Sequence, residues 1–229
     1  MEFIKKIIYI ITEYSQSIFN GLKNTLIIAL LAFAIGLILG SLIAICRIVP
    51  KKDNIVLKVL DKICAIYVTI IRGTPIVVQL LLMYFGILSS SSLNALTIAI
   101  IVFGLNSSAY MSEIIRSGIL SVDKGQMEAG RTLGLSYSKT MKSIIFPQAV
   151  KNTIPTILNE LIALLKETSV AGYITVIDVT MAVQRIVANE YEALAPYIVL
   201  AIVYLIIVGI LTMIVKMIER RLRHSDNSI

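Results

Sequence analysis

The chain has 229 residues, of which 57% are hydrophobic and only 15% charged, and its mean hydropathy is +0.88. An ordinary soluble domain carries about 25% charged residues, and so much apolar surface would drive a soluble chain of this size to aggregate. The formal net charge of +7 does not indicate nucleic-acid binding, because the basic residues flank apolar runs instead of forming one face. The composition predicts an all-α integral membrane protein with about five transmembrane helices.

The N-terminal fifth of the chain predicts a surface helix followed by a span. Apolar residues recur at helical spacing over Met1 to Asn20, which indicates an amphipathic helix on the membrane surface. The first span is predicted over Leu22 to Ile45. Small residues occupy every fourth position of this span: Ala32, Gly36, Gly40 and Ala44. That spacing allows two helices to approach closely, either between two subunits or within one.

The second apolar stretch, Leu57 to Leu88, is too long for one straight span. It contains the sequence Arg72-Gly73-Thr74-Pro75, which predicts a break because proline removes a helical hydrogen bond and restricts the residue before it. The later segments are predicted as a third span over Leu93 to Ile115, a fourth from Pro147 or Pro155 to Thr168, a mixed loop over Gly172 to Ala195 and a fifth span over Pro196 to Ile218.

The distribution of basic residues predicts the orientation. Residues 47–62, 116–142 and 216–223 carry five, five and four Lys or Arg, and basic loops stay in the cytoplasm. An odd number of spans places all three on one side, with the N-terminus outside and the C-terminus inside. We expect one permease-like domain over residues 1–229, with a cytoplasmic loop over about residues 116–146.

One motif lies in the longest polar region. The run Glu128-Ala129-Gly130-Arg131-Thr132-Leu133-Gly134 is followed, ten residues after Gly134, by Ile144-Ile145-Phe146-Pro147. It resembles the signature of the membrane subunits of ABC importers: Glu-Ala-Ala, three residues, Gly, nine residues, Ile, one residue, Leu-Pro. Gly130 and Phe146 are mild departures from it.

Further runs resemble the polar amino acid permeases, the membrane subunits of glutamine, histidine and arginine importers. They are Arg72-Gly73-Thr74-Pro75 with Gln79; Tyr110, Glu113 and Arg116; Leu158-Asn159-Glu160; and Lys166-Glu167-Thr168-Ser169. The resemblance implies a type I ABC importer permease in the bacterial inner membrane. It also implies the partners: ATP-binding cassette ATPases, a second permease subunit that is either another copy or a sister chain, and an external amino-acid-binding protein, besides membrane lipid.

The residues of the motif fit a docking role. Residues 126–133 can form about two turns of helix, and Gly134 suits the position that ends it. Ala129 and Gly130 would leave a low surface, and Glu128 suits the helix dipole and a partner's arginine. By resemblance the ATPase-coupling residues are Glu128, Ala129, Gly130, Gly134 and Pro147. An amphipathic connector lying on the bilayer is the alternative.

The chain lacks the pattern G-x-x-x-x-G-K-[ST], so we expect it to be non-catalytic, with ATP and Mg²⁺ bound by the partner ATPase. No cofactor, metal cluster or nucleophile–base arrangement is expected in this chain.

Polar residues within spans are costly and usually face a cavity or a partner. The candidate substrate-binding residues are Thr74, Gln79, Asn106, Asn159 and Glu160. The alternative is a set of interhelical pairs, such as Arg72 with Glu160 or with Glu113.

Two other functions stay open on sequence alone. One is a secondary transporter driven by an ion gradient, with Glu160 or Glu113 carrying the ion, and the cytoplasmic motif argues against it. The other is a membrane anchor for a cytoplasmic enzyme, which would not need acids and asparagines inside its spans.

Overall fold

The computed structural model describes residues 2–51 and 54–224, and only the backbone for 222–224. Met1 of the expected N-terminal helix and Lys52 of the first basic segment lie outside the described residues. Over the described ranges the chain is helical and contains no strand. The α-helices are α1 (Glu2–Glu13), α2 (Ser15–Ile48), α3 (Ile55–Gly73), α4 (Ile76–Leu81), α5 (Ala95–Leu120), α6 (Lys124–Thr132), α7 (Tyr137–Thr140), α8 (Phe146–Glu167), α9 (Val179–Glu190) and α10 (Leu194–His224).

Three of these helices, α2, α5 and α10, are long and apolar enough to cross a membrane. Two bent pairs raise the number to as many as five, which is the number that the sequence predicts. The first pair joins α3 to α4 and its π-helical continuation Leu82–Ile87, with the break at the expected Gly73 to Pro75. The second runs from α7 through α8 and a 3-10 turn, Thr168–Ile174, to α9.

The prediction of a mixed loop over Gly172 to Ala195 is wrong, because α9 occupies its centre. Asp178 caps this helix, since its carboxylate accepts hydrogen bonds from the N–H groups of Thr180 and Met181 at 3.1 and 3.0 Å. The apolar residues that α9 buries recur at helical spacing: Val179, Ala182, Val183 and Ile186.

The chain groups into two compact units. Unit one contains the chain up to Ile35, Thr74–Leu105 and Leu161–Met213. Unit two contains Gly36–Gly73, Asn106–Glu160 and the chain from Ile214 on. The expectation of a single domain over residues 1–229 stays a prediction.

The core of unit one is formed by side chains of α2, α4, α5, α8 and the 3-10 turn. Phe103 and Leu80 are fully buried in it. The other fully buried members are Ile28, Ala32, Ala99, Leu164, Ala171 and Ile174. Apolar contacts of this kind fix where the helices of a unit can lie, because protein interiors are close-packed.

The N-terminal helix α1 and the residue that follows it contact the end of α9 and the connector to α10, within unit one. The hydroxyl of Tyr14 donates a 2.7 Å hydrogen bond to Glu190 Oε1, and Lys6 lies 3.7 Å from Glu192. The hydrogen bond to Glu190 raises the pKa of Tyr14 to about 12, because it stabilises the neutral phenol. Ile10 is fully buried on the side of α1 that packs against α9 and α10.

Within unit two, two of the small residues of α2 lie where the helix closely approaches α5. A Cβ atom on Gly36 would lie 2.6 Å from Ser107 Oγ, and one on Gly40 would lie 2.5 Å from Met111 Cβ. Gly36 and Gly40 therefore let α2 pack closely against α5 of the same chain, which is the intrasubunit alternative.

We predict that Gly40→Val destabilises the protein by about 1–3 kcal/mol, the usual cost of overpacking a core. The added Cβ would also lie 2.8 Å from the backbone oxygen of Ser108, and backbone cannot move aside as a flexible side chain can. The matched control is Gly209→Val in α10, where no atom lies within 4 Å of the added Cβ. Heating in detergent followed by size-exclusion chromatography measures the difference, and equal stability of the two variants contradicts the close packing.

Candidate functional site

The polar region between α5 and α8 folds into a capped helix, α6. Asp123 caps its N-terminus by accepting a hydrogen bond from the N–H of Gly125 at 2.6 Å. At its C-terminus Gly134 has φ +84°, the left-handed conformation that glycine adopts without strain. The N–H of Leu135 bonds Gly130 O at 3.1 Å and that of Gly134 bonds Arg131 O at 3.0 Å. These two bonds form a Schellman motif, which confirms Gly134 as the residue that ends the helix.

Gly130 faces the interior, so the expectation that it lies open beside Ala129 is wrong. It is buried, and a Cβ atom there would lie 2.5 Å from Cγ2 of Thr140, which is itself fully buried. The glycine lets α6 approach α7, and its assignment to ATPase coupling stays a prediction.

The open surface of α6 is formed by other residues. Ala129 is exposed, and Leu133, four residues later on the same face, is 81% exposed. Glu128 is exposed beside them and forms no ion pair with any described residue. Leu133 was missed by the sequence reasoning, although its spacing from Ala129 is a signal for a shared face.

A small core connects α6 to the start of α8. Val122, Ile145 and Ala149 are buried in it, and Met127 of α6 and Met141 pack against them. Pro147 is exposed near the start of α8, which continues without a break from the preceding π-helical turn Met141–Ile145. Because Met127 contacts this core, a displacement of α6 acts directly on the base of α8.

The break after α3 is stabilised by one of the candidate substrate residues. Gln79 Nε2 donates to the backbone oxygen of Thr74 at 3.1 Å and to its Oγ1 at 2.9 Å. Both residues belong to unit one; Gln79 is 9% exposed, and Thr74 is exposed. The structure thus brings these two candidates together.

The other three candidates belong to unit two. Asn106 is buried, Glu160 is half-buried, and Asn159 is exposed. Ser107 Oγ donates a hydrogen bond to Glu160 Oε1 at 3.3 Å, and this bond links α5 to α8. Next along α5, the hydroxyls of Ser108 and Tyr67 lie 2.8 Å apart.

The structure corrects one suggested ion pair. Glu113 bonds Arg47 and, at 2.9 Å, Nη2 of Arg116, and so it does not pair with Arg72. Arg72 lies over the ring of Tyr110, with its guanidinium carbon 5.2 Å from the ring centroid. A cation over an aromatic face is stabilised electrostatically, which lowers the cost of a charge at this position.

Comparisons with known proteins identify the family of the chain. Residues 36–224 match the family model described as "Binding-protein-dependent transport system inner membrane component". The chain is 41% identical over 211 residues to the arginine transport system permease protein ArtQ of Bacillus subtilis (strain 168), covering 91% of this chain and 94% of ArtQ. It is 39% identical over 205 residues to the L-cystine transport system permease protein TcyB of the same strain, covering 89% and 85%.

Two solved structures share the fold. A crystal structure of an amino acid ABC transporter with histidines is 36% identical, with a TM-score of 0.86, and the match covers 92% of this chain and 96% of that one. The MetNI methionine ABC transporter, in an inward-facing conformation, is only 17% identical, so its TM-score of 0.73 over 90% of this chain shows the fold alone. The chain therefore belongs to the family of inner membrane components of binding-protein-dependent transport systems.

Proposed function

We propose that this chain is the permease subunit of an ATP-driven importer of polar amino acids. It forms the translocation path and couples that path to a separate ATPase. The observation that carries the proposal is α6, a short capped helix whose open face presents Ala129 and Leu133 and whose inner face packs on the base of α8. The relatives named for arginine and cystine transport, and the amino acid transporter solved with histidines, support the substrate class.

The ATPase in this proposal is a partner, and the chain itself is non-catalytic. The sequence contains no phosphate-binding G-x-x-x-x-G-K-[ST] loop, so ATP and Mg²⁺ bind to the partner. About five spans are too few to enclose a polar path alone, which favours two permease subunits facing each other. An external protein delivers the amino acid, and the basic loops, including α6, lie in the cytoplasm.

The function is tested by uptake into proteoliposomes that contain the chain, its ATPase and its binding protein. We expect uptake of one or more of labelled arginine, histidine, glutamine and cystine, dependent on internal ATP and abolished by vanadate. Uptake that needs only a proton or sodium gradient would instead identify a secondary transporter.

We predict that Gly134→Val weakens coupling between ATP hydrolysis and transport. A β-branched side chain in the left-handed conformation costs about 1–2 kcal/mol, which disfavours the turn that ends α6. Gly134→Asn is the matched control, because asparagine tolerates this conformation. The measurement is the ratio of amino acid transported to ATP hydrolysed. Equal ratios in the two variants, with both complexes assembled, argue against a coupling role for this turn.

We also predict that Glu160→Gln lowers transport while the complex and its basal ATPase activity persist. The carboxylate can meet the ammonium or guanidinium of a substrate, and an unpaired charge in a desolvated site is costly. The control is Glu13→Gln, which changes an exposed acid of α1. If Glu160→Gln prevents assembly, the negative charge of Glu160 has a structural role; if transport is unchanged, Glu160 does not face the path.

A further inference from the structure

Unit two contains a cavity of 820 Å³ that none of the proposed transport steps uses. It is bounded by the end of α2, the end of α5 and the segment from α7 into α8. Its volume falls within the range of about 300–1,000 Å³ that is usual for ligand pockets.

The inner wall of the cavity is apolar. Its lining is mostly isoleucine, leucine, valine and methionine, and the two hydroxyls in the wall are already engaged within their own helices. Ser41 Oγ donates to Leu37 O at 2.6 Å, and Thr153 Oγ1 donates to Ala149 O at 2.5 Å. A polar amino acid would find no partner here, whereas a hydrocarbon chain needs none.

The depth of the cavity matches one leaflet of a bilayer. Its α2 wall, from Leu37 to Ile48, is about 16 Å long at 1.5 Å per residue. The hydrocarbon core of a bilayer is about 30 Å thick, so one leaflet is about half of that. The cavity is therefore long enough to hold an acyl chain over the hydrocarbon thickness of one leaflet.

The remaining polar lining residues lie at the loop end of the cavity. They are Tyr137, Ser138 and Lys142, which belong to the basic loop that precedes the body of α8. Lys142 is exposed, and among the described residues it forms no ion pair. A lysine with no counter-charge beside an apolar groove is complementary to an anionic phospholipid, whose phosphate and acyl chain need these two surfaces together.

We propose that this cavity binds one acyl chain of an anionic phospholipid of the cytoplasmic leaflet, with the lipid phosphate at Lys142. The site does not depend on which amino acid is transported. Met141 and Ala149 line the cavity and also belong to the core that Met127 of α6 contacts. A lipid bound here supports the surface on which α6 is seated.

Titration of the purified transporter with phosphatidylglycerol, read out by native mass spectrometry, tests the proposal. We expect phosphatidylglycerol to bind more tightly than phosphatidylcholine. Lys142→Gln should weaken phosphatidylglycerol binding about fivefold, which corresponds to about 1 kcal/mol per lysine near an anionic surface. The matched control is Lys139→Gln, an exposed lysine of the same loop that does not line the cavity, and it should bind as the wild type does.

A second variant tests the apolar part of the site. Val150→Phe adds bulk inside the cavity, and we expect it to reduce binding of both lipids while the complex remains assembled. Equal affinity for the two lipids, or unchanged phosphatidylglycerol binding in Lys142→Gln, overturns the proposal. So does cross-linking of a cysteine at Ile154 to a second permease subunit, because the cavity would then be a subunit interface.

Discussion

The absence of water from the bilayer core is the constraint on which the rest of this structure depends. Every backbone N–H and C=O at that depth must find a partner inside the protein, and an α-helix supplies these partners within a single segment. The breaks within the two bent helix pairs are the points at which this rule is hardest to satisfy. At the first break, Gln79 supplies a donor to the freed carbonyl of Thr74.

The second break is satisfied by side chains of α2. Asn24 Nδ2 donates to Ile177 O at 2.9 Å, and Thr25 Oγ1 accepts from Val179 N at 3.1 Å. Asp178, fully buried, caps the helix that follows. These polar side chains supply the hydrogen-bond partners that irregular backbone requires. A polar residue within a span can have this role, so the role must be considered before the residue is assigned as a substrate ligand.

Outside the bilayer the constraint is relaxed, and α6 shows the consequence. Its end groups are satisfied by Asp123 and by the turn at Gly134, and its outer face remains open to a partner. Its inner face is fixed by the close approach of Gly130 to Thr140 and by the contact of Met127 with the core around Ile145. An open face on a helix that is packed firmly onto a span is the arrangement needed to transmit force.

Features set by local chemistry could be predicted from the sequence. Hydropathy located the spans, proline located the break at Gly73 to Pro75, and glycine located the end of α6. Features set by tertiary packing could not be predicted, because the helical spacing of apolar residues does not determine which neighbouring helix a given face will contact. The burial of Gly130 and the partners of Glu113 are of this second kind, and α9 was missed because its charged residues masked its apolar spacing.

The central claim is that the open face of α6 meets the ATPase in the cytoplasm, and a photoreactive side chain at Ala129 of the assembled transporter tests it most directly. The comparison position is Ser90, exposed in the turn between the second and third predicted spans. The account predicts cross-links to the ATPase from position 129 and none from position 90. Cross-links from position 90, or none from position 129 in a complex that hydrolyses ATP, would contradict both the coupling role and the orientation.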